Sequence, residues 1–217
     1  MTRKAAAETA PKKVKKAAPK QVAKKVAKRA PKKKNAKTGG NPKQKPLVTI
    51  TGVTGYLGAH VCLMFLQDGG YRVRGTVRDK NNDFKIGPIK KSFGKLFNKL
   101  ELVEADLLDE ASIKRSIEGA TYVIHVASPF YFDNETEEEL VKPQVEGTKA
   151  VMKACRAHGV KRCVYTSGSS ALAFGYSEHD PDRPEVFDER HWSKLETPDL
   201  KAYFKGKTLA EKLAWAY

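Results

Sequence analysis

The chain has 217 residues, enough for one core of ordinary domain size. Its formal charge of +16 is unevenly placed: residues 1–46 hold 17 of the 41 Lys and Arg and one acid, Glu8, leaving 24 basic and 24 acidic residues for the rest. No apolar run approaches the roughly 18–20 residues that cross a bilayer, so no membrane span is expected. Cys62, Cys155 and Cys163 lack Cys-x-x-Cys spacing and a secretory leader, which argues for reduced thiols inside the cell.

Residues 1–46 repeat Lys, Ala, Pro and Val loosely, as in Ala10-Pro11-Lys12-Lys13 and Ala30-Pro31-Lys32-Lys33-Lys34. Prolines interrupt any helix, like charges repel, and no aromatic residue is present to seed a core, so a disordered basic tail is expected. The composition resembles the Lys-Ala-Pro tails of linker histones. Such a polycation binds nucleic-acid phosphates without sequence preference. The cluster Lys24-Lys25-Val26-Ala27-Lys28-Arg29 with Lys32–Lys34 also reads as a nuclear address. A mitochondrial presequence fits less well, because Lys dominates over Arg and Ser; a solvated tail without a partner is the plain alternative. A cytoplasmic or nuclear location follows, and Gly39-Gly40-Asn41-Pro42 reads as the hinge into a folded unit at 47–217.

From Leu47 onward, short β-rich runs alternate with helical stretches. Strands are expected at Leu47–Thr51, Tyr71–Val77, Leu100–Glu104, Tyr122–Val126 and Arg162–Thr166, several of them apolar enough for burial on both faces. Helices are expected at about 56–68, 109–118, 136–158 and 203–216, with a short one near Ile89–Phe97. The acidic run Glu135, Glu137, Glu138 and Glu139 suits a helix start, where negative charge opposes the positive dipole end. Residues 175–200, rich in Pro, Asp and Glu, form a long excursion of the kind that usually carries function. The expected fold is α/β: a Rossmann-type doubly wound parallel sheet, preceded by the disordered tail.

Between the first strand and first helix lies Gly52-Val53-Thr54-Gly55-Tyr56-Leu57-Gly58. One glycine permits the tight turn, the next lets the backbone approach a pyrophosphate, and the third lets the helix pack on the sheet while its free amides face the anion. This predicts cofactor contacts from Gly52, Thr54, Gly55, Tyr56, Leu57 and Gly58. A site for NAD(H) places an acid about 20 residues further on, for the ribose 2′-hydroxyl. Here the residue twenty past Gly58 is Arg78, whose guanidinium suits a 2′-phosphate. NADP(H) is therefore favoured over NAD(H), with Lys80 or Lys85 as a second charge, although the adjacent Asp79 would restore an acid if the register slipped by one.

Tyr203 and Lys207 stand four apart on one face of the last expected helix. Reducing a carbonyl requires a proton donor at oxygen: Tyr203 can supply it, and a Lys207 ammonium would lower the phenol pKa and bond the nicotinamide ribose. The fifth strand ends in Thr166-Ser167-Gly168-Ser169-Ser170, which offers a hydroxyl to orient the carbonyl at a strand carboxyl end. Counting forward from the strand favours Ser167, counting back from Ala171 and Gly175 favours Ser170, and Ser169 lies between. His179, Asp180, Asp182 and His191 are spaced too irregularly for a metal site, so no metal is expected. His125, at a strand tip, reads as a polar wall residue rather than a general base.

With these motifs go His125-Val126-Ala127-Ser128-Pro129, Lys142-Pro143-x-x-Glu146-Gly147-Thr148, Phe187-Asp188-Glu189-x-x-Trp192-Ser193 and Thr208-Leu209-Ala210-Glu211 after the Tyr203/Lys207 pair. Together they resemble the dihydroflavonol reductase/cinnamoyl-CoA reductase-like group of extended short-chain dehydrogenase/reductases, in the epimerase/dehydratase superfamily. The resemblance implies NADPH-dependent reduction of a ketone or aldehyde substrate. It also implies Asp106 and Leu107 beside the adenine, and Val126, Ala127 and Ser128 lining the nicotinamide pocket. Gly168 departs from the family pattern. Members also continue past the position of Tyr217 with a substrate domain of roughly a hundred residues or more, so that domain is expected to be largely missing here. Related enzymes often pair as homodimers. The rivals are an epimerase or dehydratase on the same scaffold, and a non-catalytic nucleotide-binding module tethered to nucleic acid by its tail.

Overall fold

A computed structural model describes residues 45–129, 136–198 and 200–217. The expected tail at 1–46 lies outside the described residues except for its last two, and Glu135 lies outside them as well.

Five strands form one parallel sheet: β1 (Leu47–Thr51), β2 (Arg72–Val77), β3 (Leu100–Glu104), β4 (Tyr122–His125) and β5 (Arg162–Tyr165), in the spatial order β3-β2-β1-β4-β5. The order reverses at β1, so the switch point falls between β1 and β4, where ligands of open α/β sheets sit beyond the strand carboxyl ends. Among the described residues, five α-helices connect and follow the strands: α1 (Tyr56–Asp68), α2 (Asp83–Phe93), α3 (Glu110–Ile117), α4 (Glu137–Ala157) and α5 (Ala202–Trp215).

The register explains why both faces are covered. Val48 and Ile50 point into one cluster with Cys62 and Leu66 of α1 and Ile86, Ile89 and Phe93 of α2. Val123 points the other way, into a cluster with Ile113 and Ile117 of α3 and Val151, Ala154 and Cys155 of α4. Thr49, paired with Val123, is fully buried on that second face and donates its hydroxyl to the Ser116 carbonyl at 3.3 Å. A strand with period-2 alternation and apolar partners on both sides yields the doubly wound arrangement. The cysteines are free; Cys155 is buried, and the half-buried Cys163 packs against its cluster.

Most elements match the sequence expectation to within a residue. The exception is α2, which begins at Asp83, well before Ile89, and passes into a 3₁₀ turn at Gly94–Lys99. Asn82 starts it by accepting the Lys85 amide at 3.1 Å. Pro88 is tolerated inside it because both Pro88 and Phe84, whose carbonyl loses a partner, are exposed.

The excursion before α5 has no regular helix or strand among its described residues beyond a short 3₁₀ turn, Ser169–Ala171. It is held by side chains. Ser193 Oγ donates to the Ser170 carbonyl and accepts the Phe174 amide, both at 2.9 Å, and Thr197 Oγ1 donates to the Gly175 carbonyl at 2.6 Å.

Helix α3 depends on a residue outside it. Asp109 caps its start, and at its far end Arg74 of β2 donates to the carbonyls of Ser116 at 3.0 Å and Glu118 at 2.7 Å while pairing with Glu101 at 3.0 Å. Hydrogen bonds from a charged donor are worth about 1.5–3 kcal/mol. Arg74→Met is therefore expected to lower the unfolding free energy by about 2 kcal/mol in urea denaturation; an unchanged midpoint would remove the capping role.

Candidate active site

The turn after β1 is shaped by what glycine lacks. Gly52 has φ +72°, and a Cβ on it would lie 3.0 Å from Ala127 Cα. A Cβ on Gly58 would run into the Gly52 carbonyl, and one on Gly75 would meet Val53 Cγ2 at 2.7 Å. The Gly55 amide donates to the Gly52 carbonyl at 3.1 Å, and the Gly52 amide to Thr76 Oγ1 at 3.1 Å. Helix α1 starts at Tyr56 with no side-chain cap, and Gly55, Tyr56 and Leu57 are exposed, so the positive end of the helix faces the switch point.

Arg78 follows β2 directly and is exposed. The Asp79 carboxylate accepts the Asn81 amide at 2.8 Å, which ties it to its own turn. A cavity of about 510 Å³ beside the glycine turn is lined by Thr54, Asp83, Phe84, Lys85 and Pro88, which brings Lys85 to this edge. On the other side, Asp106 Oδ1 accepts the Leu108 amide at 2.8 Å. Leu107 packs against α4 so closely that a Cβ on Gly147 would come within 2.8 Å of its own Cβ.

Thr51 Oγ1 accepts the amides of Val126 and Ala127, each at 3.0 Å, and lies 2.8 Å from His125 Nδ1. With two donors already pointing at the oxygen, the hydroxyl hydrogen goes to Nδ1, so Nδ1 accepts and the proton of the neutral ring sits on Nε2. His125 is 2 % exposed; burial, and then the Lys207 charge, lower its pKa to about 3. It is a neutral wall of the site. Thr51 also holds the 125–129 turn against Gly52; Ser128 lies further along that turn, half-buried.

Helix α5 carries Tyr203, half-buried, and Lys207, 5 % exposed. Lys207 Nζ donates to the Thr166 carbonyl at 3.2 Å and stands 5.9 Å from the centre of the Tyr165 ring. Burial lowers the Lys207 pKa, partly offset by Glu211. Burial also raises that of Tyr203, and the Tyr165 phenol, hydrogen-bonded to Thr148, is pushed up to about 12. The expected lowering of the Tyr203 phenol by Lys207 is not found: burial raises its pKa instead, and the phenol keeps its proton. Gly206 lets α4 approach: a Cβ there would lie 2.8 Å from Gln144 Nε2.

The three serines separate by environment. Ser167 gives its hydroxyl to Glu211 of α5. Ser169 is exposed at the start of the 3₁₀ turn. Ser170 is buried, its carbonyl accepting the Ser193 hydroxyl at 2.9 Å and lying 3.4 Å from the Thr208 hydroxyl, which donates to the Phe204 carbonyl at 2.8 Å. A cavity of about 180 Å³ opens between the strand tip and the acidic-Trp segment, lined in part by Ser167, Glu189, Trp192 and Glu211. Composition and spacing pointed to neither Glu211 nor Thr51 as a member of the site; Glu211, four residues beyond Lys207, was visible as an acid one turn on. Asp180 and Asp182 pair with Lys194, and Asp188 engages Arg190 and His191. Among the described residues there is no cluster able to hold a metal, and no helix long and apolar enough to cross a membrane.

A parallel β3-β2-β1-β4-β5 sheet, a glycine turn feeding a bare helix N-terminus, and a buried lysine one turn after a tyrosine define a Rossmann-type domain of the short-chain dehydrogenase/reductase kind. The chain belongs to the NAD dependent epimerase/dehydratase family, which matches residues 48–217. It is 38% identical over 186 residues to a dihydroflavonol 4-reductase of Zea mays, covering 82% of this chain and 50% of that protein. It is 35% identical over 184 residues to an anthocyanidin reductase of Vitis vinifera, covering 82% and 53%. Among solved structures, yeast methylglyoxal/isovaleraldehyde reductase Gre2 complexed with NADPH superposes with TM-score 0.66 at 27% identity, covering 78% of this chain and 52% of that one. Vestitone reductase from alfalfa (Medicago sativa) does so with TM-score 0.61 at 32% identity, covering 79% and 52%. The chain spans about half the length of the curated relatives it matches.

The His125 environment has a consequence for stability. Its folded pKa is about 3, while an unfolded histidine protonates near 6.5. Between these values the unfolded chain binds more protons, so stability present above pH 6.5 declines as pH falls. The urea midpoint of His125→Asn is expected to fall less steeply than that of the parent chain between pH 7 and pH 4; equal slopes would clear the imidazole of this effect.

Proposed function

We propose that residues 47–217 form the nucleotide-binding and catalytic half of an NADPH-dependent oxidoreductase that reduces a ketone or aldehyde. The observation that carries this reading is Lys207, a buried ammonium one turn after Tyr203, held at the tip of β5 on the same sheet as the glycine turn. The residues present fit a dinucleotide, since the helix after the glycine turn starts without a side-chain cap and its first residues, Gly55, Tyr56 and Leu57, are exposed. Gly52, Thr54, Gly55, Tyr56, Leu57 and Gly58 would hold the pyrophosphate, and Asp106 and Leu107 would lie by the adenine. Val126, Ala127 and Ser128 would line the nicotinamide pocket. Arg78, exposed after β2, and Lys85 at the Thr54 cavity favour NADP(H), while Asp79 is engaged by its own turn.

Bound NADPH supplies hydride to the carbonyl carbon. Tyr203, whose burial keeps the phenol protonated, would donate to the carbonyl oxygen, and Lys207 would stabilise the phenolate left behind and hold the nicotinamide ribose. Ser170 is our choice for the orienting hydroxyl: Ser167 is taken by Glu211, whereas the Ser170 backbone is fixed by Ser193. The partners proposed are a small-molecule carbonyl compound, a second copy of the chain, and nucleic-acid phosphates at residues 1–46. The location proposed is intracellular, cytoplasmic or nuclear.

Two measurements test this. The purified chain is expected to bind NADPH more tightly than NADH, with Arg78→Glu reversing the order, and to oxidise NADPH when supplied with dihydroflavonols or small aldehydes. Tyr203→Phe is expected to cut turnover by about 10²–10⁴ without changing NADPH affinity. Binding without turnover would favour the non-catalytic module, and no binding of either cofactor would overturn both readings. For the tail, DNA affinity should fall steeply with salt in the full chain and be lost on deleting residues 1–46; equal affinities would end the nucleic-acid reading.

A further inference from the structure

Two links tie α5 to the end of β5. Lys207 Nζ donates to the Thr166 carbonyl at 3.2 Å, and the hydroxyl of the next residue, Ser167, donates back to Glu211. Lys207 and Glu211 stand one turn apart on the same helix, so the four residues close a ring between catalytic helix and strand tip. The second Glu211 oxygen is not idle, because Trp215 Nε1 donates to Oε1 at 3.3 Å. Both carboxylate oxygens are thus aimed, one by the strand and one by the last turn of α5.

Lys207 needs such a neighbour. It is 5 % exposed, and the Thr166 carbonyl to which it donates is neutral. A buried ammonium without a counter-charge tends to lose its proton. The groups facing it are His125 from β4, neutral; the Tyr165 ring from β5, 5.9 Å away; Tyr203 one turn earlier; and Glu211 one turn later. Glu211 is the carboxylate of this set, and it acts to favour the charged form of Lys207.

We propose that Glu211 is a positioning residue of the catalytic helix: its carboxylate docks the Ser167 strand tip and is the counter-charge that keeps Lys207 an ammonium. This rests on reading Tyr203 and Lys207 as the catalytic pair, but the charge relation itself exists without cofactor, so it can be tested separately.

The experiment is a ¹⁵N-lysine NMR titration of the full chain without cofactor, the Lys207 signal being assigned by its loss in Lys207→Arg. In Glu211→Gln the Lys207 titration is expected to move at least tenfold toward acid in proton concentration. Glu211→Asp, which retains the charge at a shorter reach, should restore part of that shift. Ser167→Ala, which breaks the docking bond and retains the charge, should leave the titration close to that of the parent chain. NADPH affinity followed by nicotinamide fluorescence from pH 6 to pH 10 should show its alkaline loss displaced to lower pH in Glu211→Gln alone. A Lys207 titration unmoved in both Glu211 variants would overturn the proposal, and so would a loss of affinity by one factor at every pH. Failure of the parent chain to bind NADPH would instead strike the proposed cofactor, and the titration would still decide the role of Glu211.

Discussion

The contact on which the folded unit turns involves no side chain: the backbone of Gly58 lies against the carbonyl of Gly52. Helix α1 can sit that close only because Gly58 lacks a Cβ, and the closeness sets the position of everything around the switch point. Val53 drops into the space left by Gly75 on β2, and Ala127 closes over Gly52 from β4. Three strands are thus brought to a common edge by missing atoms. A single methyl group would push the helix off the sheet, because packed interiors yield little to added volume.

A row of polar groups closes one end of this sheet, on one face. The β1–β4–β5 register puts Thr51, His125 and Tyr165 in a row at the strand carboxyl ends, on the face that also holds the α3 and α4 cluster. Thr51 serves three partners at once, His125 Nδ1 and the amides of Val126 and Ala127, while burial and the Lys207 charge keep His125 neutral. Buried polar groups are stable only when bonded, and here the bonding doubles as a frame for the pocket wall. Lys207 is delivered against the same row from α5, where the dielectric is low enough for one charge to matter.

The excursion between β5 and α5 reaches order by another route. It has almost no regular backbone structure, yet Ser193, Thr197, Lys194 and Tyr176 each bind across it. Ser193 matters most for the site, since it grips Ser170 directly. The two carboxylates that a sequence reader weighs as metal ligands, Asp180 and Asp182, are consumed in this work: both hold Lys194.

The linear order of residues was enough for the α/β class, all five strands, the glycine turn, and the placing of Tyr203 and Lys207 on one helix, because each is a short-range pattern with its own steric or periodic cause. Helix α2 was misplaced by several residues, since its start depends on the Asn82 cap in a basic stretch where hydrophobic spacing is weak. Tertiary structure alone decided the rest. It distinguished Ser170 from Ser167, since Glu211 reaches back from a helix 44 residues away to take the Ser167 hydroxyl. It made His125 a neutral wall, since the packed sheet buries the ring and α5 brings the Lys207 charge near it. It also set the protonation of Tyr203 and Lys207, because burial is a property of the packed sheet and helix rather than of their spacing in the chain.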